Sequence, residues 1–123
     1  MQRVLVVDDD HLVADTLTLI FGKSGFAALA AYSADEALLA ARTFTPNLLL
    51  SDISMPGRDG LSLIADITRE HPACRIIAIT GFYSNLKNVR DHASNRVHPL
   101  GILLKPCQPV DLLREAYAIL AAA

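Results

Sequence analysis

A chain of 123 residues is the size of one domain, and with 52% hydrophobic and 20% charged residues it can bury a core. A formal net charge of −2, with the basic residues scattered, argues against nucleic acid as a direct partner, because phosphate binding needs clustered Lys and Arg. The opening MQRVLVVDDD is too short in its apolar run and too acidic for a signal peptide, and no stretch approaches the roughly 20 apolar residues of a membrane helix. Cys74 and Cys107 then read as reduced thiols of a soluble, cytoplasmic protein.

Short apolar runs alternate with segments of helical period. RVLVV (3–7) is a β-branched strand. Leu12, Val13, Thr16, Leu17, Ile20 and Phe21 recur at helical spacing, and Gly22 and Gly25 close that helix. Residues 26–31 form a weaker second strand. Ser33 and Glu36 make a capping-box pattern ahead of Ala37, Leu38, Ala40, Ala41 and Phe44 on one helical face. Residues 47–50 are a third strand and 61–69 a third helix with Leu63, Ile64 and Ile67 inward. Residues 75–79 are the fourth strand, 83–97 a polar helix and 100–104 the fifth strand. Pro109 suits the first turn of a last helix whose stripe is Val110, Leu112, Leu113, Ala116, Tyr117 and Leu120. Continuous apolar strands separated by helices predict a parallel sheet covered on both faces, a doubly wound (βα)5 sandwich. The chain reads as a single domain over 1–123, with no room for a second after the last helix.

Ligands of such folds bind outside the carboxyl ends of the strands. Asp8, Asp9 and Asp10 fall there after the first strand, Asp52 after the third, Thr80 after the fourth and Lys105 after the fifth. Crowded carboxylates repel, and a hard divalent cation such as Mg²⁺ relieves the repulsion through oxygen ligands. Lys105 is a point charge suited to a phosphoryl oxygen, Thr80 can donate a hydrogen bond to another, and a carboxylate can itself be the nucleophile that forms an aspartyl phosphate. Asp10, next to a helix start, reads instead as a cap or a solvent-exposed side chain.

The segments VLVVDDD (4–10), LLLSDISMPGRDG (48–60), IIAITG (76–81) and LLKP (103–106) resemble those of response-regulator receiver domains, over essentially the whole chain. The second is the most specific, with Met55, Pro56, Gly57, Asp59 and Gly60 following the acid. The resemblance implies a flavodoxin-like sheet in strand order 2-1-3-4-5. It implies Asp52 as phosphoacceptor, and Asp8 and Asp9 as the acidic pair that holds Mg²⁺, with Asp9 favoured as the direct ligand. Asp52 itself and the backbone carbonyl of Ser54 complete the metal's ligands. Thr80 and Lys105 are the implied phosphoryl-binding switch residues, Lys105–Pro106 a cis peptide bond, and Gly81 a small residue that leaves the acceptor accessible. The implied phosphodonor is a sensor histidine kinase or histidine phosphotransfer protein. The implied output is a downstream protein or an attached domain outside this chain, with no role for membrane.

One position departs from the pattern. Ile102 stands where the family usually carries Tyr or Phe, so no ring can swing there; Phe82 or Tyr83 is a candidate substitute. The stretch between Thr80 and Lys105 is also a few residues long, and Pro99 favours extended backbone at His98.

Other signals are weaker. Gly22-Lys23-Ser24 resembles the end of a P-loop, but Leu17 replaces its first glycine and the segment ends a helix. His11, His71, His92 and His98 lack tight metal spacing, with His11 beside the acids the one to watch. Cys107, near a helix start, is placed where a thiolate would be favoured, though a passive small residue is expected. Two alternatives to a phosphorylated switch stand. One is a receiver-like interaction module that never uses phosphate, kept alive by Ile102. The other is a small haloacid-dehalogenase-type phosphatase, suggested by Asp8-x-Asp10 but lacking a late acidic pair beyond Asp111 and Glu115. A flavin-binding variant is disfavoured by carboxylates that would repel a phosphate.

Overall fold

The computed structural model of the protein describes residues 1–55, 60–81 and 100–121. The helix expected over 83–97 lies outside them, as do Pro56, Gly57, Asp59, Phe82, Tyr83, His92, His98 and Pro99. The described elements are β1 (Arg3–Val7), α1 (His11–Lys23), β2 (Ala27–Ala31), α2 (Ala34–Phe44), β3 (Leu48–Asp52), α3 (Gly60–Glu70), β4 (Arg75–Thr80), β5 (Leu100–Leu104) and α4 (Pro109–Ala121). The strands form one parallel sheet in the order β2-β1-β3-β4-β5. The α/β class and the strand order are those expected.

Strand side chains alternate between two cores, as a period of two requires. Leu5, Val7, Leu49, Ile76 and Ala78 face α2 and α3, joined by Leu38, Leu63, Ile64 and Ile67. Val4, Val6, Leu48, Leu50, Ile77 and Ile79 face α1 and α4, joined by Phe21, Leu112, Ala116 and Ile119. Burial on both faces explains why the central strands are apolar between the opening Arg3 and Arg75 and the polar residues Ser51, Asp52 and Thr80 at their carboxyl ends.

The helix faces differ in part from expectation. Leu12 is 76% exposed and Thr16 is exposed; α1 buries Phe21, as expected, and Ala14, which the spacing omitted. Val110 and Tyr117 of α4 are more than half exposed, while Ile119, which the stripe omitted, is buried. The sheet selects a narrower arc than apolar spacing suggests. Gly22 lies inside α1, and only Gly25, with φ +97, terminates it, where a residue without Cβ is favoured. Ser33 caps α2 by accepting from the Glu36 N–H at 3.1 Å, and Glu36 reaches back to the N–H of Tyr32. Asp52 and Thr80 are the last residues of β3 and β4, not the first residues beyond them.

Candidate functional site

The register of the sheet brings the ends of four strands level. Val7 pairs with Ser51, Asp52 with Ile79, and Thr80 with Leu104. Asp8 and Lys105, each one residue past its strand, therefore flank Asp52. One carboxylate oxygen from each of Asp8, Asp9 and Asp52 lies within 4.8 Å of the others. Lys105 Nζ donates to Asp52 Oδ2 at 3.0 Å and to Asp8 Oδ2 at 3.4 Å.

Asp8 and Asp52 are held alike. Asp8 Oδ1 accepts the N–H of Asp10 at 3.0 Å, and Asp52 Oδ1 accepts the N–H of Ser54 at 3.1 Å, each a turn closed two residues on. Both side chains are buried, whereas Asp9 is exposed. Burial pushes the Asp8 carboxyl above its ordinary pKa; the Asp10 N–H and Lys105 offset this in part, and the Asp52 charge adds to it. Burial works to lower the Lys105 ammonium, but its bonds to Asp52 and Asp8 outweigh that and hold it above its ordinary value.

Three carboxylates converging from two strands fit a hard divalent cation. Opposite ligands of an octahedral Mg²⁺ lie about 4.2 Å apart at bond lengths of ~2.1 Å, so oxygens already within 4.8 Å need little movement. Asp10 does not join them. Its Oδ1 accepts from Leu12 N at 3.0 Å and Val13 N at 3.3 Å, capping α1.

The loop after β3 is anchored by its apolar residues. Ile53 and Met55 are buried, and Ser54 between them is exposed. The Ile53 N–H donates to the Ile79 carbonyl at 2.9 Å, and the Gly60 N–H to the Ile53 carbonyl at 3.0 Å. A Cβ on Gly60 would overlap the Asp52 carbonyl oxygen and come within 2.6 Å of Ile53 Cα. The sequence singles out Gly60 only as part of a motif; its physical role is this close approach. Ser51 Oγ, which sequence reasoning missed, donates to the Asp52 carbonyl at 3.0 Å in full burial.

Thr80 is fully buried, and its carbonyl accepts the Lys105 N–H at 2.8 Å. Gly81 is exposed at the rim. Lys105–Pro106 is a cis peptide. Ile102, opposite Ala78, is half-buried against the α2/α3-side core. His11 stacks on Tyr32 with ring centroids 3.8 Å apart, and the Tyr32 hydroxyl donates to Asp15 at 2.5 Å. Both cysteines are free thiols, and burial pushes Cys107 up, away from the thiolate that its position near a helix start would favour.

A rim of this kind on a 2-1-3-4-5 sheet is that of a two-component signalling domain. The chain belongs to the response regulator receiver domain family, whose model matches residues 4–117. Receiver domains are signalling switches rather than general catalysts. Over 82 residues the chain is 40% identical to the DNA-binding transcriptional regulator NtrC of Salmonella typhimurium, a match covering 65% of this chain but 18% of that protein. The chain thus spans less than a fifth of that relative. A CheY-like receiver domain protein from Methanospirillum hungatei superposes with a TM-score of 0.86 at 28% identity, covering 98% of this chain and 94% of that one. The receiver domain of NtrX from Brucella abortus superposes at 0.84 with 28% identity, covering 98% and 99%. Among the described residues no helix is long and apolar enough to cross a membrane.

Proposed function

We propose that this chain is a phosphoacceptor switch in which Asp52 accepts a phosphoryl group from a phosphohistidine. A carboxylate oxygen of Asp52 attacks phosphorus, the N–P bond breaks, and the imidazole leaves with the electron pair and takes up a proton. The observation that carries this reading is the arrangement of Asp52 with Lys105 on one oxygen and Asp8 and Asp9 beside it. Lys105 is placed to transfer from Asp52 Oδ2 to a phosphoryl oxygen, and so to report the modification. The Ser54 N–H orients the acceptor, and Asp8, Asp9, Asp52 and the Ser54 carbonyl are the residues that would hold Mg²⁺. When bound there, Mg²⁺ supplies charge neutralisation for the developing phosphoryl oxyanions. Thr80 is the hydroxyl that answers to the phosphoryl group, and Gly81 leaves the approach open.

The donor is a sensor histidine kinase or histidine phosphotransfer protein, and the output is a protein target or an attached domain. Phosphate shifts a two-state population only by binding one state better. Ile102 packs half-buried against the α2/α3-side core, which supports a switch that works without a moving ring at that position. Incubation with a phosphohistidine donor, followed by peptide mapping, tests the reading. A hydroxylamine-labile phosphoryl group on Asp52 is expected; a stable phosphoester on Ser or Thr would contradict it. The phosphate-independent module is favoured only if partner binding is unchanged by Asp52→Asn and by every phosphodonor.

A further inference from the structure

A cavity of ≈ 530 Å³ lies between α1 and α4 and reaches the phosphoacceptor rim. It is open to solvent and lined by Val13 and Leu17 of α1, Ile79 of β4 and Leu112 of α4, with Gly81, Pro106 and Cys107. Its volume and apolar walls are those of small-molecule sites, which occupy roughly 300–1,000 Å³ and use few polar groups. Asp8 and Lys105 supply the charged part of its lining.

The charged lining decides the ligand's charge. In the metal-free, unphosphorylated protein Lys105 is engaged by Asp52 at 3.0 Å and Asp8 at 3.4 Å, so an anionic ligand would have to break both contacts. Three carboxylates against one ammonium repel anions further. A cationic head would have to displace Lys105 or occupy the ground of a divalent ion. Burial pushes the Cys107 thiol, also in the lining, above its ordinary value and so favours its neutral form. We infer that this cavity binds an uncharged, largely apolar small molecule, seated between α1 and α4 against the wall it shares with Asp8 and Lys105. The inference does not depend on phosphoryl transfer, because the cavity is built from the fold.

Titration with the neutral fluorophore N-phenyl-1-naphthylamine, followed by its emission and by methyl NMR shifts, tests this. Saturable one-to-one binding is expected, with shifts centred on Val13, Leu17, Ile79 and Leu112. Leu17→Phe and Cys107→Phe, which fill the cavity from different elements, should each weaken binding by about tenfold or more, equivalent to ~1.4 kcal/mol. Leu39→Ala, on an exposed position of α2, should bind as wild type. Absence of saturable binding, shifts centred elsewhere on the wild type, or tighter binding of a sulfonated analogue would overturn the inference. So would unchanged affinity in both filling variants once their thermal unfolding matches wild type.

Discussion

The Lys105 ammonium sits 3.0 Å from Asp52 Oδ2, although 53 positions separate the two residues. Folding brings a cation and a buried acid together at a rim that already holds two further acids. The ion pair compensates part of the crowding, and a divalent cation would relieve the rest.

Asp9 is the exposed member of the acidic group, and removing its charge relieves repulsion without stranding Lys105. Asp9→Asn is expected to raise the melting temperature of the metal-free protein by a few degrees. Added Mg²⁺ should reverse the order, stabilising wild type more than the variant, because only a ligand that binds the native state better adds stability. Differential scanning calorimetry with and without Mg²⁺ checks both. A lower metal-free melting temperature in the variant would contradict the crowding.

Asp8 and Lys105 imply opposite pH dependences. The Asp8 carboxyl is raised above 3.8 in the fold, so the native state holds that proton more tightly than the unfolded chain. Ionised Asp8 therefore costs stability, a cost absent below pH 3.8 and complete above the folded pKa. Lys105 is raised above 10.5, so its contribution is present below pH 10.5 and is lost as pH rises through the folded pKa. Urea unfolding across pH should show a smaller fall with rising pH in Asp8→Asn than in wild type just above pH 3.8. Lys105→Met should lose stability at neutral pH, by ~1 kcal/mol given its partial exposure, and converge on wild type well above pH 10.5. Parallel curves for wild type and Asp8→Asn would contradict the first expectation.

Gly60 and Gly22 predict opposite outcomes for the same substitution. Gly60→Ala drives a Cβ into the backbone of Asp52 and Ile53, so it should destabilise by about 1–3 kcal/mol and slow phosphoryl uptake by moving the acceptor. Gly22 lies inside α1 with open space around it, so Gly22→Ala should stabilise by roughly 0.5–1 kcal/mol. Chemical denaturation of both variants decides the matter.

Asp10 and Asp9 are neighbours with different tasks. Asp10→Ala should cost about 1 kcal/mol through loss of the α1 cap and leave Mg²⁺ affinity nearly unchanged. Asp9→Ala should do the reverse, weakening Mg²⁺ while sparing α1. Isothermal titration with Mg²⁺ beside thermal unfolding separates the two.

Much of this was legible in the sequence because strand chemistry is local. Apolar runs with no polar residue until Ser51, Asp52 and Thr80 announce both the buried sheet and its functional edge. The Asp10 cap and the Ser33–Glu36 box could be read from spacing alone. The exposed Leu12, Val110 and Tyr117 could not, since apolar period marks a broad face and the sheet covers only an arc of it. The steric role of Gly60 was hidden for a different reason: it depends on a backbone approach between β3 and α3 that no residue pattern states. The cavity between α1 and α4 is likewise a packing outcome, invisible in any single segment.

The central claim is that Asp52 is the phosphoacceptor and that its neighbouring acids work through Mg²⁺. Intact mass spectrometry after incubation with a small acyl phosphate, with and without Mg²⁺, on wild type and Asp52→Asn, tests it most directly. The account predicts a gain of one phosphoryl group in wild type that requires Mg²⁺ and is absent in Asp52→Asn. An equal gain in Asp52→Asn, or none in wild type with Mg²⁺ bound, would contradict it.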